Sequence, residues 1–179
     1  MGWNNLILDD IGQVKRFVKE VYYNFFLYRE IADMQILKKL SLLCDNYNMC
    51  AEKAIILRCM AKFYYFNNDG KSSLDTYRQA ISILTEKNTE ELIILNTELA
   101  DHYFMERNTL QAENYYKAAR LLIVGPGVSG HAKYVYHHRL GVMYNTSGQY
   151  DKARENLREA CKYADYNTDT ISEKGAALI

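Results

Sequence analysis

Proline is nearly missing: there is one in 179 residues, where average usage of about 5% would supply roughly nine. With only nine glycines besides, the chain has few points at which a helix must stop, which argues against turn-dense all-β folds and predicts long helices. Excess charge of either sign is also lacking. Lys plus Arg and Asp plus Glu each number 22, so no global field exists to hold a nucleic-acid backbone or an anionic bilayer. Apolar stretches such as Ala54 to Leu57 and Leu121 to Val124 fall far short of the ~20 residues that span a membrane. No signal-peptide pattern opens the sequence. A cytoplasmic protein without direct nucleic-acid or membrane contacts is expected. The four cysteines, Cys44, Cys50, Cys59 and Cys161, show no C-x-x-C spacing and no disulfide-scaffold density, so they read as free and mostly buried thiols.

What the chain does have is 49% hydrophobic residues, sixteen tyrosines and an internal repeat. Five columns recur three times. Ala61, Ala100 and Gly141 form the first, and three residues later stand Tyr64, Tyr103 and Tyr144. Then come Ser73, Ala112 and Ala153; Tyr77, Tyr116 and Leu157; and Ala80, Ala119 and Ala160. Spacing inside each copy is invariant, whereas the copies are 39 and 41 residues apart, so length variation is confined to the connection after each unit. The first two columns are an i, i+3 pair on one helix and the last three an i, i+4, i+7 stripe on a second. Small residues on both let the two helices approach closely. The aromatic fills the space towards the next pair, so each unit buries its face only against a neighbour.

These residues resemble the W-x2-L-G-x2-Y…A-x3-F pattern of tetratricopeptide repeats. The third copy is the nearest, with His137, Leu140, Gly141 and Tyr144 followed by Ala153, Leu157 and Ala160. The second reads Asn96, Leu99, Ala100, Tyr103, and the first Leu57, Met60, Ala61, Tyr64. Histidine replaces the tryptophan in the third copy, and the closing proline is absent from all three. The resemblance implies an all-α fold, a right-handed solenoid of antiparallel helix hairpins, with three repeats over residues 54–166. Residues 1–53 then form a degenerate repeat or N-terminal cap, carried by Ile11, Val14, Val18, Val21, Phe25, Ile31, Ile36, Leu40 and Leu43. Residues 167–179 read as the start of a further helix or a C-terminal cap whose apolar Leu178 and Ile179 suggest either a homodimer through that helix or attachment to further repeats.

Loops are expected where breakers cluster, at 45–48, 67–70, 87–89, 107–108, 125–130, 146–148 and 167–169. Thr89, followed by Glu90 and Glu91, reads as a helix cap with carboxylates at the positive end of the helix dipole.

Catalysis finds no support. Gly125 to Gly130 satisfies G-x-G-x-x-G, but the dinucleotide fingerprint needs a βαβ unit around it, and here the segment joins two repeats. His102, His131, His137 and His138 do not converge as metal ligands, because adjacent helical residues point about 100° apart. No enzyme activity, cofactor or metal is therefore expected. A second stripe on each first helix is more informative: Arg58, Lys62 and Tyr65; Thr97, Asp101 and Phe104; His138, Val142 and Asn145. In the tetratricopeptide family residues so placed line the concave groove that receives peptides or partner segments. Apolar Tyr65, Phe104 and Val142 on a face otherwise solvated fit a binding strip. Arg58 and Asn145 lie off the packing columns, so substituting them is expected to leave stability little changed.

The chaperone-tail clamp of the family is not matched, since Glu98 and Val135 stand where it has asparagine and lysine. The repeat intervals look more like the Rap-type and PlcR-type peptide sensors of Gram-positive bacteria, in which asparagine holds the peptide backbone. Asn145 is the counterpart here. The resemblance thus implies a peptide- or protein-binding domain, the sensor or interaction part of a bacterial regulator. The alternative is a scaffold that self-associates through its terminal helices.

Overall fold

A computed structural model of the chain describes residues 10–27 and 33–164. Among them the sequence forms eight α-helices: α1 Ile11–Leu27, α2 Met34–Asn46, α3 Cys50–Phe66, α4 Gly70–Ser82, α5 Thr89–Met105, α6 Thr109–Ile123, α7 Gly130–Thr146 and α8 Tyr150–Ala164. The all-α class expected from the sequence is the class found, with antiparallel hairpins as the building unit. Each repeat is one hairpin, namely α3–α4, α5–α6 and α7–α8. Ile31 and everything from residue 165 on, including the expected loop at 167–169 and terminal helix with Leu178 and Ile179, lie outside the described residues.

One turn stereochemistry serves every hairpin. The second turn residue takes a positive φ: Asn68 at 59°, Arg107 at 61° and Gly148 at 74°. The next amide then reaches back five residues, from Asp69 to the Tyr64 carbonyl, from Asn108 to Tyr103 and from Gln149 to Tyr144, each at 2.9 Å. The positive-φ residue itself donates to Tyr65, Phe104 or Asn145. Together these are the paired bonds of a Schellman motif, which satisfy carbonyls that a helix end leaves open. The tyrosine column of the repeat therefore marks the residue whose carbonyl closes the turn. The following residue opens the second helix, as Asp69 accepts from the Ser72 amide at 3.0 Å and Asn108 from the Gln111 amide at 3.2 Å. The α2–α3 connection repeats the device, with Asn48 at φ 54° and the Met49 amide on the Cys44 carbonyl at 2.8 Å. The segment before the repeats thus ends in the repeats' own turn.

The chain divides into two compact units, one running to Leu84 and one starting at Thr85. The boundary falls between the first and second repeats. In the first unit α3 packs on α1, α2 and α4. Val14, Phe17, Val18, Val21 and Phe25 of α1 meet Leu37, Leu40 and Cys44 of α2 and Ile56 and Cys59 of α3 in one apolar core. Ile36 and Leu43 are partly buried against it, while Ile11 is 45% exposed. Burial pushes the Cys44 thiol up to about 11, so it behaves as a core hydrophobe.

In the second unit the α5–α6 and α7–α8 hairpins stack through α5 against α7. Ala100, Tyr116, Ala119 and Ile123 of one hairpin share a core with Ala132, Tyr136 and Leu140 of the next, and the Tyr116 and Tyr136 rings meet edge to face at 6.3 Å. The small-residue column has a steric cause: a Cβ added to Gly141 would lie 2.8 Å from Leu157 Cγ and 3.2 Å from the Leu157 backbone nitrogen.

Thr89 departs from the sequence reading. Its hydroxyl donates to the Glu86 carbonyl at 2.8 Å instead of accepting. Capping chemistry sits one turn earlier, where Thr85 and Asn88 close a short 3-10 turn over Glu86–Asn88.

Candidate functional site

The first-helix stripe does not present a uniform face. In the first unit Arg58 is buried, 7% exposed. Its Nη1 donates to the Tyr22 hydroxyl at 3.2 Å and its guanidinium lies 5.4 Å from the centre of that ring. It braces α3 against α1, which corrects the expectation that it can be replaced without loss of stability. Lys62 is half-buried, and Tyr65 is 40% exposed with its ring edge-on to Phe66 at 5.9 Å.

In the second unit Thr97 is fully enclosed and its hydroxyl donates to the Ile93 carbonyl at 2.7 Å. It belongs to the packing of α5 and has no surface to offer a ligand. Asp101, one turn on, joins three helices. One carboxylate oxygen accepts a hydrogen bond from the Tyr116 hydroxyl of α6, and the other lies 3.5 Å from Arg139 Nη1 of α7. Burial, followed by the Asp101 charge, pushes the Tyr116 phenol far up, so it stays a neutral donor. The stripe expected to be solvated therefore contains a partly sheltered ion pair linking the two hairpins.

The remaining positions are open to varying degree. Phe104 is half-buried on α5; on α7 Val142 is 45% exposed and Asn145 exposed. His138 is half-buried and stacks on Tyr134 at 5.5 Å, with the rings within 14° of parallel. Because α5 packs on α7, Phe104 and Val142, from corresponding stripes, stand on neighbouring helices. Asn145 also lines a pocket of about 320 Å³ with Tyr150, Ala153, Leu157 and Cys161 of α8.

Other candidates resolve into packing. Gly125 to Ser129 falls in the α6–α7 connection, and Ser129 caps α7 by accepting from the Ala132 amide at 3.2 Å. His137 Nδ1 sits 3.2 Å from Asn156 Oδ1, and its ring stacks on Tyr163; the position that carries tryptophan in the resembled pattern is filled here by an imidazole between α7 and α8. His102 is buried beside Glu106, 3.7 Å away, and burial lowers its pKa. Among the described residues no group of three or more His, Cys, Asp or Glu is placed to hold a metal ion, and no helix is long and apolar enough to cross a membrane.

Sequence spacing did not reveal the Asp101–Tyr116–Arg139 link. The only available signal was an acidic residue one position after a small-column alanine, with an arginine two positions before the next small-column residue, which is weak without knowing that α5 and α7 touch.

No family model matches the chain, and no curated protein matches it. A solved structure described as the crystal structure of MamA is similar over 89% of this chain and 98% of its own, with 16% sequence identity and a TM-score of 0.49.

Proposed function

We propose that the chain is a non-enzymatic interaction domain that binds a peptide or an extended segment of a partner protein on the first helices of its second unit. The finer reading, carried by the resemblance of the repeats, is the sensor or interaction part of a bacterial regulator acting in the cytoplasm. The observation that carries the binding assignment is Val142: an aliphatic side chain 45% exposed towards the C-terminal end of α7, a helix packed on the α5 that carries half-buried Phe104. An apolar contact strip with polar groups at its margins, here His138, Asn145 and Asp101, suits a ligand that brings one apolar side chain and a backbone to be hydrogen-bonded. Asp101 acts through Arg139, holding that guanidinium in place. Arg58 and Thr97 take no part in the proposed contact.

The test is selection of binders from a random peptide display library, followed by calorimetry on the selected peptides. Val142→Asp and Phe104→Ala are expected to weaken them at least tenfold, and Asn145→Ala five- to 150-fold, about 1 to 3 kcal/mol for a lost backbone clamp. Leu121→Asp, on the outer face of α6 where the side chain is 78% exposed, is expected to leave them unchanged. Selected peptides indifferent to Val142, Phe104 and Asn145 alike would remove the assignment and favour the self-associating scaffold.

A further inference from the structure

Each helix of the proposed strip carries a charge one turn before its apolar residue. Asp101 precedes Phe104 on α5 by three residues, and Arg139 precedes Val142 on α7 by three, so charge and apolar contact are neighbours on the helix surface. The side chain of Asp101 is 24% exposed and that of Arg139 45%. Both charges therefore border the surface that a ligand would cover, and their effect on a charged ligand decides which segments the strip takes.

The two carboxylate oxygens of Asp101 have separate tasks. Oδ1 accepts from the Tyr116 hydroxyl, and Tyr116 is 5% exposed, so swinging Asp101 aside leaves a buried donor without its acceptor. Oδ2 stands 3.5 Å from Arg139 Nη1. An incoming carboxylate cannot displace a partner fastened from behind in this way. It meets the guanidinium with Asp101 already beside it, and the attraction left after that repulsion falls short of the cost of stripping water from a carboxylate on an apolar strip. A neutral side chain suffers neither effect.

We infer, on the strength of the binding strip proposed above, that Asp101 sets the charge specificity of that strip: fixed by Tyr116 and neutralising Arg139, it admits segments uncharged at the α5–α7 junction and turns away acidic ones. Asp101 is a positioning residue that acts through Arg139. Discrimination of this kind comes from a built-in repulsive group as much as from contacts to the favoured ligand. Arg139 released from Asp101 is a carboxylate receptor, so one substitution reverses the preference.

The probe is a peptide selected by display on the unaltered chain, remade with aspartate and with asparagine at each position in turn. The affinity ratio of each pair, measured by calorimetry, isolates charge from shape. At one position or more, aspartate is expected to bind the unaltered chain at least about tenfold more weakly than asparagine, with the gap narrowing as salt rises from about 0.05 to 0.5 M. Asp101→Asn keeps an oxygen for Tyr116 and removes the charge. In that variant aspartate is expected to equal or exceed asparagine, and adding Arg139→Gln is expected to abolish the gain. Aspartate binding as well as asparagine at every position of the unaltered chain would overturn the inference, as would a penalty that Asp101→Asn leaves intact or a gain that survives Arg139→Gln. Those outcomes leave the strip standing if the same peptide still needs Val142 and Phe104. A peptide indifferent to both, or a library that yields no binder, removes the strip and the inference together.

Discussion

Gly141 offers the sharpest test of how the hairpins are packed, because two opposing terms act on one methyl group. Inside a helix, alanine is favoured over glycine by up to about 1 kcal/mol, so an exposed site would gain from Gly141→Ala. Here the new Cβ would meet Leu157 Cγ at 2.8 Å, Leu157 Cδ2 at 2.9 Å and the Leu157 backbone nitrogen at 3.2 Å, against the roughly 3.5–4.0 Å of relaxed carbon contacts. Cγ is not a flexible tip, and it cannot retreat unless α8 moves by several tenths of an ångström. Overpacking of this kind costs about 1–3 kcal/mol, which outweighs the propensity gain and leaves a net loss of about 1 kcal/mol, or 2 at most.

Urea denaturation followed by far-ultraviolet circular dichroism measures that loss as a lower midpoint with an unchanged slope. A double-mutant cycle identifies its source. In a Leu157→Ala background the two closest contacts vanish, and Gly141→Ala is then expected to become neutral or stabilising by up to about 1 kcal/mol. If Gly141→Ala stabilises the parent chain, or acts equally in both backgrounds, then the close approach of α7 and α8 is not what fixes the small-residue column.

Three further outcomes follow from the same geometry. Arg107 holds φ at 61° where the third repeat uses Gly148, and Arg107→Gly is expected to raise stability by about 0.5–1 kcal/mol, the left-handed penalty less the entropy of glycine; a lower urea midpoint would contradict this. Ser73 is fully buried and its hydroxyl has no hydrogen-bond partner, so Ser73→Ala, the residue of the other two repeats, is expected to be neutral or to stabilise by about 1 kcal/mol; a loss of that size would refute it. His102 is held below its ordinary value of 6.5 by burial, with Glu106 opposing. The unfolded chain therefore takes up the proton first as pH falls, so stability is full above pH 6.5 and declines below it. Urea midpoints at pH 7.5 and 5.0 are expected to differ less in His102→Leu than in the parent, and an equal difference would absolve this residue.

The repeat columns were legible because three aligned copies turn weak single preferences into one strong pattern. Ala61, Ala80, Ala100, Ala119, Ala153 and Ala160 are all buried as the columns require. The candidate strip was legible only in part. On α5 every side chain from Ile93 to Ala100 is buried, so the helix is enclosed around its circumference and no i, i+4, i+7 stripe along that stretch marks an outside. Thr97 was lost to that enclosure, and Arg58 to Tyr22 on a helix whose docking no spacing in the sequence foretells. Asp101 was placed on the right helix, but its role depends on Arg139, 38 residues away in sequence.

The identical turn that ends α3, α5 and α7 also bears on how the protein folds. Each hairpin closes through hydrogen bonds spanning five residues and side-chain contacts between adjacent helices, so its contact order is low and loop-closure entropy is small. Hairpins are therefore expected to form early and to act as separate cooperative blocks in native-state hydrogen exchange, with the amides of the enclosed α5 opening last and those of α8 first.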